Sequence, residues 1–403
     1  MPDTRHAPTP VLRKDLFHLP EGVIYLDGNS LGPLPKSVAA RTQSMLTDEW
    51  GDLLIRGWNK ADWFGQPGRV GDVVGALIGA PDGSVVMGDT LSIKVYQALA
   101  AALALRPDRK VVLSDSGNFP TDLYMARGLL EMLGQGHELR VVAPEEVAEA
   151  MDDTVAAAML TEVDYRTGRR HDMAAITRTA HDAGAVMIWD LAHSAGAFPV
   201  DMTASNAEFA VGCTYKYLNG GPGAPAFIYV RPDLSDTVRP ALQGWMGHNA
   251  PFAFDLDYAP AGGIERMRVG TPPVIQMTAL EEALKIWDGV SMRAVRDAAV
   301  ALMEQFIEEV EARCPQLTLA SPRDPARRGS QVSFRFAEGY AAMQALIDRG
   351  VIGDFRAPDI MRFGFTPLYL DAGDVTAAVD VLDDVLSNEL WRDEKYRAKA
   401  RVT

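Results

Sequence analysis

Short apolar segments alternate with longer helical patterns between about Gly88 and Val230, and this alternation limits the possible folds more than any other feature of the sequence. Six apolar runs have the length and composition of strands, at Lys110–Ser114, Leu139–Ala143, Val155–Thr161, Ala185–Asp190, Phe209–Thr214 and Ala226–Val230. Helical patterns lie between several of them, at Thr121–Leu133, Glu145–Met151 and Asp172–Ala183. Near-continuous apolar strands separated by helices are typical of a mostly parallel sheet covered on both faces. The turn Gly220–Pro225 is too short for a crossover, so we expect the last two strands to be antiparallel.

The pattern changes after about residue 273. Two long helices are predicted at Val274–Trp287 and Val295–Ala312. Two strands and two helices then alternate, at Gln331–Phe336, Ala341–Arg349, Ile360–Phe365 and Asp374–Asn388. The sequence therefore predicts an α/β protein with a large domain at residues 56–290 and a smaller α+β domain at residues 291–403. Residues 1–55 are expected to form an N-terminal segment that packs on the small domain and the active site.

Composition limits the classes of partner. The 403 residues include 39 Lys or Arg and 54 Asp or Glu, which gives a formal net charge of −15. Nucleic acid and anionic membranes repel an acidic chain, so we expect neither as a partner. The longest apolar stretch, from Val95 to Leu105, is interrupted by Gln97 and is shorter than the roughly 20 residues that a bilayer requires. The opening residues are polar and contain no targeting pattern, so a cytoplasmic protein is expected.

Cysteine and histidine usage argues against metal and disulfide chemistry. Cys213 and Cys314 are too few for a disulfide framework or a structural zinc site, which favours a reducing compartment. Most of the seven histidines are isolated and have no metal-ligand spacing, so no metal site is predicted.

A carboxylate and a lysine follow two successive predicted strands. Asp190 ends the run that begins at Ala185, and Lys216 comes directly after the next run, with His193 between them. Ligands of open α/β sheets bind at the carboxyl ends of strands. Pyridoxal phosphate requires this pair, because a lysine forms a Schiff base with its aldehyde and a carboxylate keeps its ring nitrogen protonated. Taken singly, however, such an Asp is often a helix cap and such a Lys is often solvated, and both interpretations stay open at this point.

Two further segments suit the same cofactor. Gly88–Ser92 opens the predicted helix Ile93–Leu105, so its free N–H groups and the Ser92 hydroxyl could hold a phosphate. The alternative is that Asp89, Thr90 or Ser92 caps the helix. Gly117–Asp122 follows a strand and offers an aromatic face and a second carboxylate, unless Asp122 is a cap in an ordinary loop.

The sequence resembles the kynureninase family, whose members are pyridoxal phosphate enzymes. The matching segments span nearly the whole chain and are Tyr25–Gly32, Asn118–Asp122, Asp190–His193, Thr214–Asn219, Gly244–His248, Arg268–Pro273 and Met361–Tyr369. Asp-x-x-His and a strand-end Lys are common to many related enzymes, whereas Gly-Asn-Ser-Leu-Gly, Tyr-Lys-Tyr-Leu-Asn and Gly-Trp-Met-Gly-His are more specific. The resemblance implies fold type I, the aspartate aminotransferase fold. Its large domain has a mostly parallel sheet of seven-stranded type flanked by helices, and a smaller α+β C-terminal domain follows.

The resemblance also implies roles for individual residues. Lys216 and Asp190 would be catalytic, Lys216 as the Schiff-base lysine and Asp190 at the ring nitrogen. Because Tyr215 is adjacent to Lys216, we expect it to be a catalytic acid–base group as well. The implied cofactor-binding residues are Leu91, Ser92, Phe119, Pro120, Thr121, Asp122, Thr161, Asp190, His193, Tyr215, Lys216, Trp245 and Thr271. Arg362 would clamp the substrate α-carboxylate, and Ser30 and Trp58 would contact the aromatic end of the substrate.

The implied activity is hydrolysis of the Cβ–Cγ bond of L-kynurenine to anthranilate and L-alanine, in tryptophan degradation and NAD biosynthesis. A homodimer with active sites at the subunit interface is implied as well, with Trp245 reaching the phosphate of the neighbouring subunit. Trp58 stands where other members have His, and Thr271 stands where some have Asn. The departure at Trp58 leaves open the preference between kynurenine and 3-hydroxykynurenine, and the departure at Thr271 leaves open the role of that residue.

Two other classes of function remain. One is a different fold type I enzyme, such as a cysteine desulfurase or a class V aminotransferase. Desulfurases need a mobile nucleophilic cysteine, which suits neither Cys213, in an apolar run, nor Cys314, in a helical tail. The other class is a non-catalytic binding protein, and the presence of Lys216, Asp190 and Arg362 disfavours it.

Overall fold

The structure, a computed structural model, describes residues 11–398; the first ten residues of the predicted N-terminal segment and the last five of the predicted small domain lie outside this range. The strands are β1 Ile24–Tyr25, β2 Val85–Met87, β3 Val111–Asp115, β4 Glu138–Val142, β5 Val155–Thr161, β6 Val186–Asp190, β7 Phe209–Gly212, β8 Phe227–Val230, β9 Thr318–Leu319, β10 Gln331–Arg335, β11 Val351–Ile352, β12 Asp354–Arg356 and β13 Ile360–Gly364. The α-helices are α1 Lys36–Ser44, α2 Gly57–Lys60, α3 Gln66–Leu77, α4 Leu91–Leu105, α5 Pro120–Leu133, α6 Met173–Asp182, α7 Met202–Ser205, α8 Val274–Ala283, α9 Met292–Arg313, α10 Gly339–Ile347 and α11 Ala372–Ser387.

A large mixed sheet forms the centre of the fold. Within the described residues it has seven strands in the order β2-β8-β7-β6-β5-β3-β4. The strands from β3 to β7 pair in parallel, and β8 is antiparallel to both of its neighbours. The predicted fold class and the predicted antiparallel last pair are therefore confirmed.

Apolar residues cover both faces of this sheet. In β6, Met187 and Trp189 belong to one buried cluster, and Val186 and Ile188 belong to the other. Successive side chains of a strand point to opposite faces, so a run that is apolar at every position must be covered on both sides. This burial explains why most strands of the large sheet were recognisable in the sequence.

Two elements of the large sheet differ from the prediction. The predicted helix Glu145–Met151 is wrong, because the structure has only a 3₁₀ turn at Pro144–Glu146 followed by further turns. Only Val147 and Met151 of that segment are buried, and so small an apolar face does not stabilise a helix in spite of favourable residue propensities. The prediction also missed β2, which has three residues and lies at the edge of the sheet.

A smaller antiparallel sheet in the C-terminal part has the order β12-β13-β10-β9. The N-terminal segment joins this part of the molecule through β1, which pairs in parallel with β11. Two further backbone hydrogen bonds, from Leu26 N to Ile352 O and from Gly364 N to Leu26 O, continue the contact. The residues after Leu26 are thereby held beside β13. The domain boundaries at residues 55 and 290 stay predictions.

In residues 11–398, none of the helices has both the length and the apolar character needed to cross a lipid bilayer.

Candidate active site

A cavity of about 320 Å³ lies at the carboxyl ends of β5, β6 and β7, and we call it the Lys216 cavity. Its lining consists of Asn29, Ser30, Leu91, Ser92, Phe119, Thr121, Asp122, Thr161, Tyr165, Asp190, Ala192, His193, Tyr215, Lys216, Arg356 and Arg362. Twelve of these sixteen residues were singled out from the sequence, so the fold brings most of the predicted site residues to one place. A larger cavity of about 700 Å³, which Glu162, Arg170 and Arg327 help to line, contains none of them.

Lys216 lies on the turn after β7, and its amine faces His193. The Lys216 Nζ to His193 Nε2 distance is 3.0 Å. Burial, followed by the charge of Lys216, lowers the pKa of His193 well below its usual value. His193 is therefore neutral near pH 7 and can accept a hydrogen bond from the lysine at Nε2.

The N-terminal segment closes over the backbone of Lys216. Gly32 N donates to Tyr215 O at 2.8 Å. A Cβ at Gly32 would stand 2.3 Å from the carbonyl oxygen of Lys216, so only glycine permits this approach. The second glycine of the Gly-Asn-Ser-Leu-Gly motif thus allows Ser30 and its neighbours to reach the cavity.

Two buried carboxyl groups, Asp122 and Asp190, lie in the same cavity. Asp190 Oδ1 accepts the N–H of Ala192 at 2.8 Å, whereas Asp122 Oδ2 has no hydrogen-bond partner among the described residues. Burial raises the pKa of both groups; the charge of Asp190 adds to the shift at Asp122, and the charge of Lys216 opposes it at both. Such a pair favours a cation or a hydrogen-bond donor between its oxygens. A protonated pyridine ring supplies the first of these, and a ring hydroxyl supplies the second.

The segment that opens α5 explains why Asp122 is available. Pro120 is the first helical residue and Phe119 holds the N-cap position, so Asp122 lies in the first turn and is not the cap. Phe119 packs edge-to-face against Tyr165, with ring centroids 5.1 Å apart. Phe119, Thr121 and Asp122 line the cavity, whereas Pro120 does not.

The amino end of α4 is suited to an anion. Thr90 occupies the N-cap position but its side chain makes no capping hydrogen bond, and Asp89 pairs instead with the buried Lys94 at 3.2 Å. The first N–H groups of this 15-residue helix therefore lack a side-chain acceptor, and Leu91 and Ser92 line the cavity. Free N–H groups and the helix dipole make such an end a phosphate site.

Tyr215 also lines the cavity. The charge of Cys213, followed by burial, raises the pKa of the Tyr215 phenol. The phenol therefore keeps its proton near neutral pH and can donate it.

Arg362 lines the same cavity, and its guanidinium donates to other groups of the protein. In the β12–β13 pairing Arg362 stands opposite Asp354, and its Nε donates to Asp354 Oδ1 at 2.7 Å while Nη2 contacts Asp354 Oδ2. Nη1 donates to Tyr165 O at 2.6 Å, and Nη2 also donates to Ser30 Oγ at 2.7 Å. The side of the guanidinium that would fork onto a substrate carboxylate is thus occupied by Asp354. Ser30 lies beside the arginine and lines the cavity, and its predicted contact with the aromatic end of a substrate stays a prediction.

Besides Pro120, three predicted residues lie outside the cavity of the single chain. Trp58 packs edge-to-face against Trp63 at 5.7 Å, and Trp245 is 41% exposed on a loop where it contacts Phe252. Thr271 is exposed and lines a separate small pocket. Their assigned roles stay predictions.

Four residues of the cavity were missed, namely Asn29, Tyr165, Ala192 and Arg356. The alternation of Asp354 and Arg356 in one short segment is a sequence signal, because residues two apart share one face of a strand. Recognising it as part of the site requires the register with Arg362, which the sequence does not contain. In the described part of the chain, no three His, Cys, Asp or Glu side chains are grouped so that they could hold a metal ion.

Comparison with known proteins gives one consistent family. The family model described as the kynureninase C-terminal domain matches residues 295–382. A kynureninase from Pseudomonas fluorescens is 50% identical over 394 residues, which cover 96% of this chain and 95% of that protein. A kynureninase from Burkholderia pseudomallei (strain 1106a) is 49% identical over 406 residues, with 99% and 97% coverage.

Solved structures share the fold at lower identity. The cysteine desulfurase of Thermococcus onnurineus NA1 has a TM-score of 0.76 and 18% identity, with 91% of this chain and 95% of that chain covered. The cysteine desulfurase CsdA of Escherichia coli has a TM-score of 0.76 and 20% identity, with 93% and 98% coverage. At this identity the similarity establishes the fold type alone.

Proposed function

The chain belongs to the kynureninase family, and from this premise we propose that it hydrolyses L-kynurenine to anthranilate and L-alanine with pyridoxal phosphate as cofactor. One observation carries the proposal: in a chain about half identical to kynureninases, a lysine, two buried carboxyl groups and a buried arginine line one cavity. The lysine and the carboxyl groups fit the cofactor, and the positive charge of the arginine, Arg362, fits the carboxylate of an amino-acid substrate.

The residues of the Lys216 cavity fit pyridoxal phosphate by the chemistry of their free groups. Leu91 and Ser92 would hold its phosphate, Asp190 would face its ring nitrogen, Phe119 would cover the ring and Lys216 would bind its aldehyde. When bound, the cofactor supplies an electron-withdrawing ring that makes the α-proton of the substrate acidic and allows negative charge to develop at Cβ.

The residues of the chain then move protons and orient the substrate. The Lys216 amine removes the α-proton, and neutral His193 holds that amine by a hydrogen bond. The charge of Arg362 attracts and orients the substrate carboxylate. The Tyr215 phenol donates to the oxygen at the γ-carbon while water adds there. Water provides the new hydroxyl of anthranilate as the Cβ–Cγ bond breaks, and a proton ends on Cβ to form alanine.

The direct test is to incubate the holoprotein with L-kynurenine and to measure anthranilate by fluorescence and L-alanine by an enzymatic assay. Equal amounts of the two products are expected. Sulfide from L-cysteine, or amino transfer to a 2-oxo acid in place of anthranilate, would support the alternative enzymes. The cysteines argue against a desulfurase: Cys213 and Cys314 are buried, and burial raises the pKa of both thiols, so neither is a mobile nucleophile.

We also propose a homodimer in which Trp245 completes the phosphate site of the neighbouring subunit. The loop that carries Trp245 supports this proposal, because it has several exposed apolar side chains, namely Phe252, Phe254 and a fully exposed Leu256. Large exposed apolar groups in one loop are typical of an interaction surface. A cytoplasmic location and a role in tryptophan degradation and NAD biosynthesis are further proposals from the family.

Mixed dimers test the shared site. Lys216→Ala and Trp245→Ala proteins are each expected to have little activity. After co-expression, a hybrid dimer contains one site with both native residues, so cleavage of L-kynurenine should return. A mixture that stays as inactive as its components would contradict a contribution of Trp245 across the interface.

Asp27 is expected to make substrate binding pH-dependent. Burial, followed by the charge of Asp354, raises the pKa of the Asp27 carboxyl to about 8, and Arg362 opposes the shift. Below that pH Asp27 is neutral. Above it, Asp27 becomes a second carboxylate beside Asp354 and weakens the attraction of Arg362 for the substrate carboxylate. As the pH rises through about 8, the KM for L-kynurenine should increase roughly 5- to 10-fold, which corresponds to about 1 kcal/mol of binding free energy. Because Asp27 ionises less readily in the folded protein than in the unfolded chain, the free energy of unfolding should fall as the pH rises from about 4 to about 8.

The control is Asp27→Asn, which cannot ionise. The KM of this variant for L-kynurenine should stay low and should not change between about pH 7 and about pH 9. The charged and titratable groups around Asp27 are Asp354, Arg362, Arg356, Tyr25, Tyr217 and Tyr369. If the variant shows the same alkaline rise in KM as the native protein, another group is responsible.

A further inference from the structure

A second arginine, Arg356, lines the Lys216 cavity beside Arg362. Arg356 Nη2 lies 2.8 Å from Asp354 Oδ2 and 3.3 Å from Ser30 Oγ, and Nη1 donates to Phe355 O at 2.9 Å. Both guanidinium groups thus converge on one carboxylate and one hydroxyl.

The two arginines differ in their freedom to bind a ligand. The Arg362 side chain is 2% exposed, and each of its three nitrogens already donates to Asp354, Tyr165 or Ser30. The Arg356 side chain is 31% exposed, and its contact with the Ser30 hydroxyl is long. Arg356 can therefore exchange the hydroxyl for a stronger acceptor at little cost, because a hydrogen bond to a charged acceptor is stronger than one to a neutral hydroxyl.

The side chains of Arg356, Arg362 and Asp354 together carry a net positive charge, which one anion can neutralise. Arg356 and Arg362 face the single carboxylate of Asp354, whose pKa is lowered by both arginines, and the neighbouring Asp27 carboxyl is neutral near pH 7. One positive charge is thus left over. It faces the cavity that Lys216 and the two carboxyl groups also line, where the cofactor and the amino group of the substrate belong.

We propose that Arg356 is a substrate-binding residue that donates directly to the α-carboxylate of the substrate, beside the buried guanidinium of Arg362. Asp354 is then a positioning residue: it holds Arg362 through the β12–β13 pairing and gives up part of its contact with Arg356 when the substrate enters. The proposal rests on the proposed function for the identity of the substrate, but it requires only an amino acid with a free carboxylate.

The test measures binding without cleavage. The dissociation constant of the holoprotein for L-alanine, the amino-acid product, is compared with that for ethylamine, which lacks the carboxylate. Arg356→Gln should weaken L-alanine binding roughly 10- to 100-fold, as expected for a lost hydrogen bond between charged groups, and leave ethylamine binding unchanged. Arg356→Lys should restore part of the loss, because a charge remains without the planar fork.

Arg335→Gln is the matched control, since Arg335 lies in the same small sheet, is half exposed and pairs with Asp359 away from the cavity. It should bind both ligands as the native protein does. In steady-state assays, Arg356→Gln should raise KM for L-kynurenine with little change in kcat. Native affinity for L-alanine in Arg356→Gln would overturn the proposal, and so would an equal loss of L-alanine and ethylamine binding. Because neither ligand is cleaved, this result is independent of whether the native protein forms anthranilate.

Discussion

Replacement of Lys216 by alanine is expected to abolish the cleavage of L-kynurenine, with kcat falling by at least about 10⁴-fold. Two losses combine in this variant, because Lys216 both joins the cofactor to the protein and moves the α-proton. His193 is neutral and is the neighbouring base in the cavity. Its Nε2 lies 3.0 Å from the lysine amine, however, so it does not occupy the position from which that amine removes the α-proton. Nothing among the described residues replaces that amine at the same position.

The measurement combines the absorbance of the cofactor with the rate of anthranilate formation. The Lys216→Ala protein should bind pyridoxal phosphate more weakly and without the absorbance of a lysine-linked aldehyde. An exposed lysine, Lys60, provides the control, and Lys60→Ala should keep native absorbance and rate. A Lys216→Ala protein that retained a substantial part of the native kcat would remove Lys216 from the mechanism.

Replacement of Asp190 by asparagine is expected to lower kcat by roughly 10²- to 10³-fold. An amide has nearly the shape of a carboxylate but no charge, so it cannot keep a pyridine nitrogen protonated. The fold should tolerate the change: Asp190 is buried and burial raises its pKa, so removing the charge is expected to leave the apoprotein at least as stable as the native one. Activity should therefore fall without a loss of thermal stability.

Asp115 offers a matched control for Asp190. It is also a buried aspartate at the end of a parallel strand, β3, but it pairs with His171 at 2.6 Å and does not line the Lys216 cavity. Asp115→Asn is expected to lower stability and to leave the kcat of the folded holoprotein unchanged. Equal losses of kcat in the two variants would indicate a general effect of buried aspartates and would contradict a specific role of Asp190.

The strand-end residues of the site were predictable for a physical reason. Strands β5, β6 and β7 are apolar on both faces, so charged residues at or shortly after their ends stand out in the sequence; Asp190 is the last residue of β6, and Lys216 follows β7 by four positions. Parallel strands end at one edge of the sheet, and their terminal side chains must lie close together. Fold class and site centre thus follow from local patterns.

The substrate side of the cavity depends on long-range pairing instead. Ser30 and Arg362 are 332 residues apart, and their contact requires the parallel pairing of β1 with β11 and the register of β12 with β13. The strands β11 and β12 have only two and three residues, so they leave a weak sequence pattern. A shift of one residue in the pairing of β12 with β13 would turn Asp354 away from Arg362. For this reason Arg356 and Asp354 were not recognised, and the contacts that hold Arg362 within the protein could not be predicted.

The central claim is that Lys216 is the residue to which the cofactor is joined. Sodium borohydride reduction of the protein loaded with pyridoxal phosphate, followed by digestion and mass spectrometry of the peptides, tests it most directly. We expect one phosphopyridoxyl group, on the peptide that contains Lys216. A modification confined to another lysine, such as the buried Lys94 in the first turns of α4, would contradict the account, and so would a protein that binds the cofactor without any reducible link.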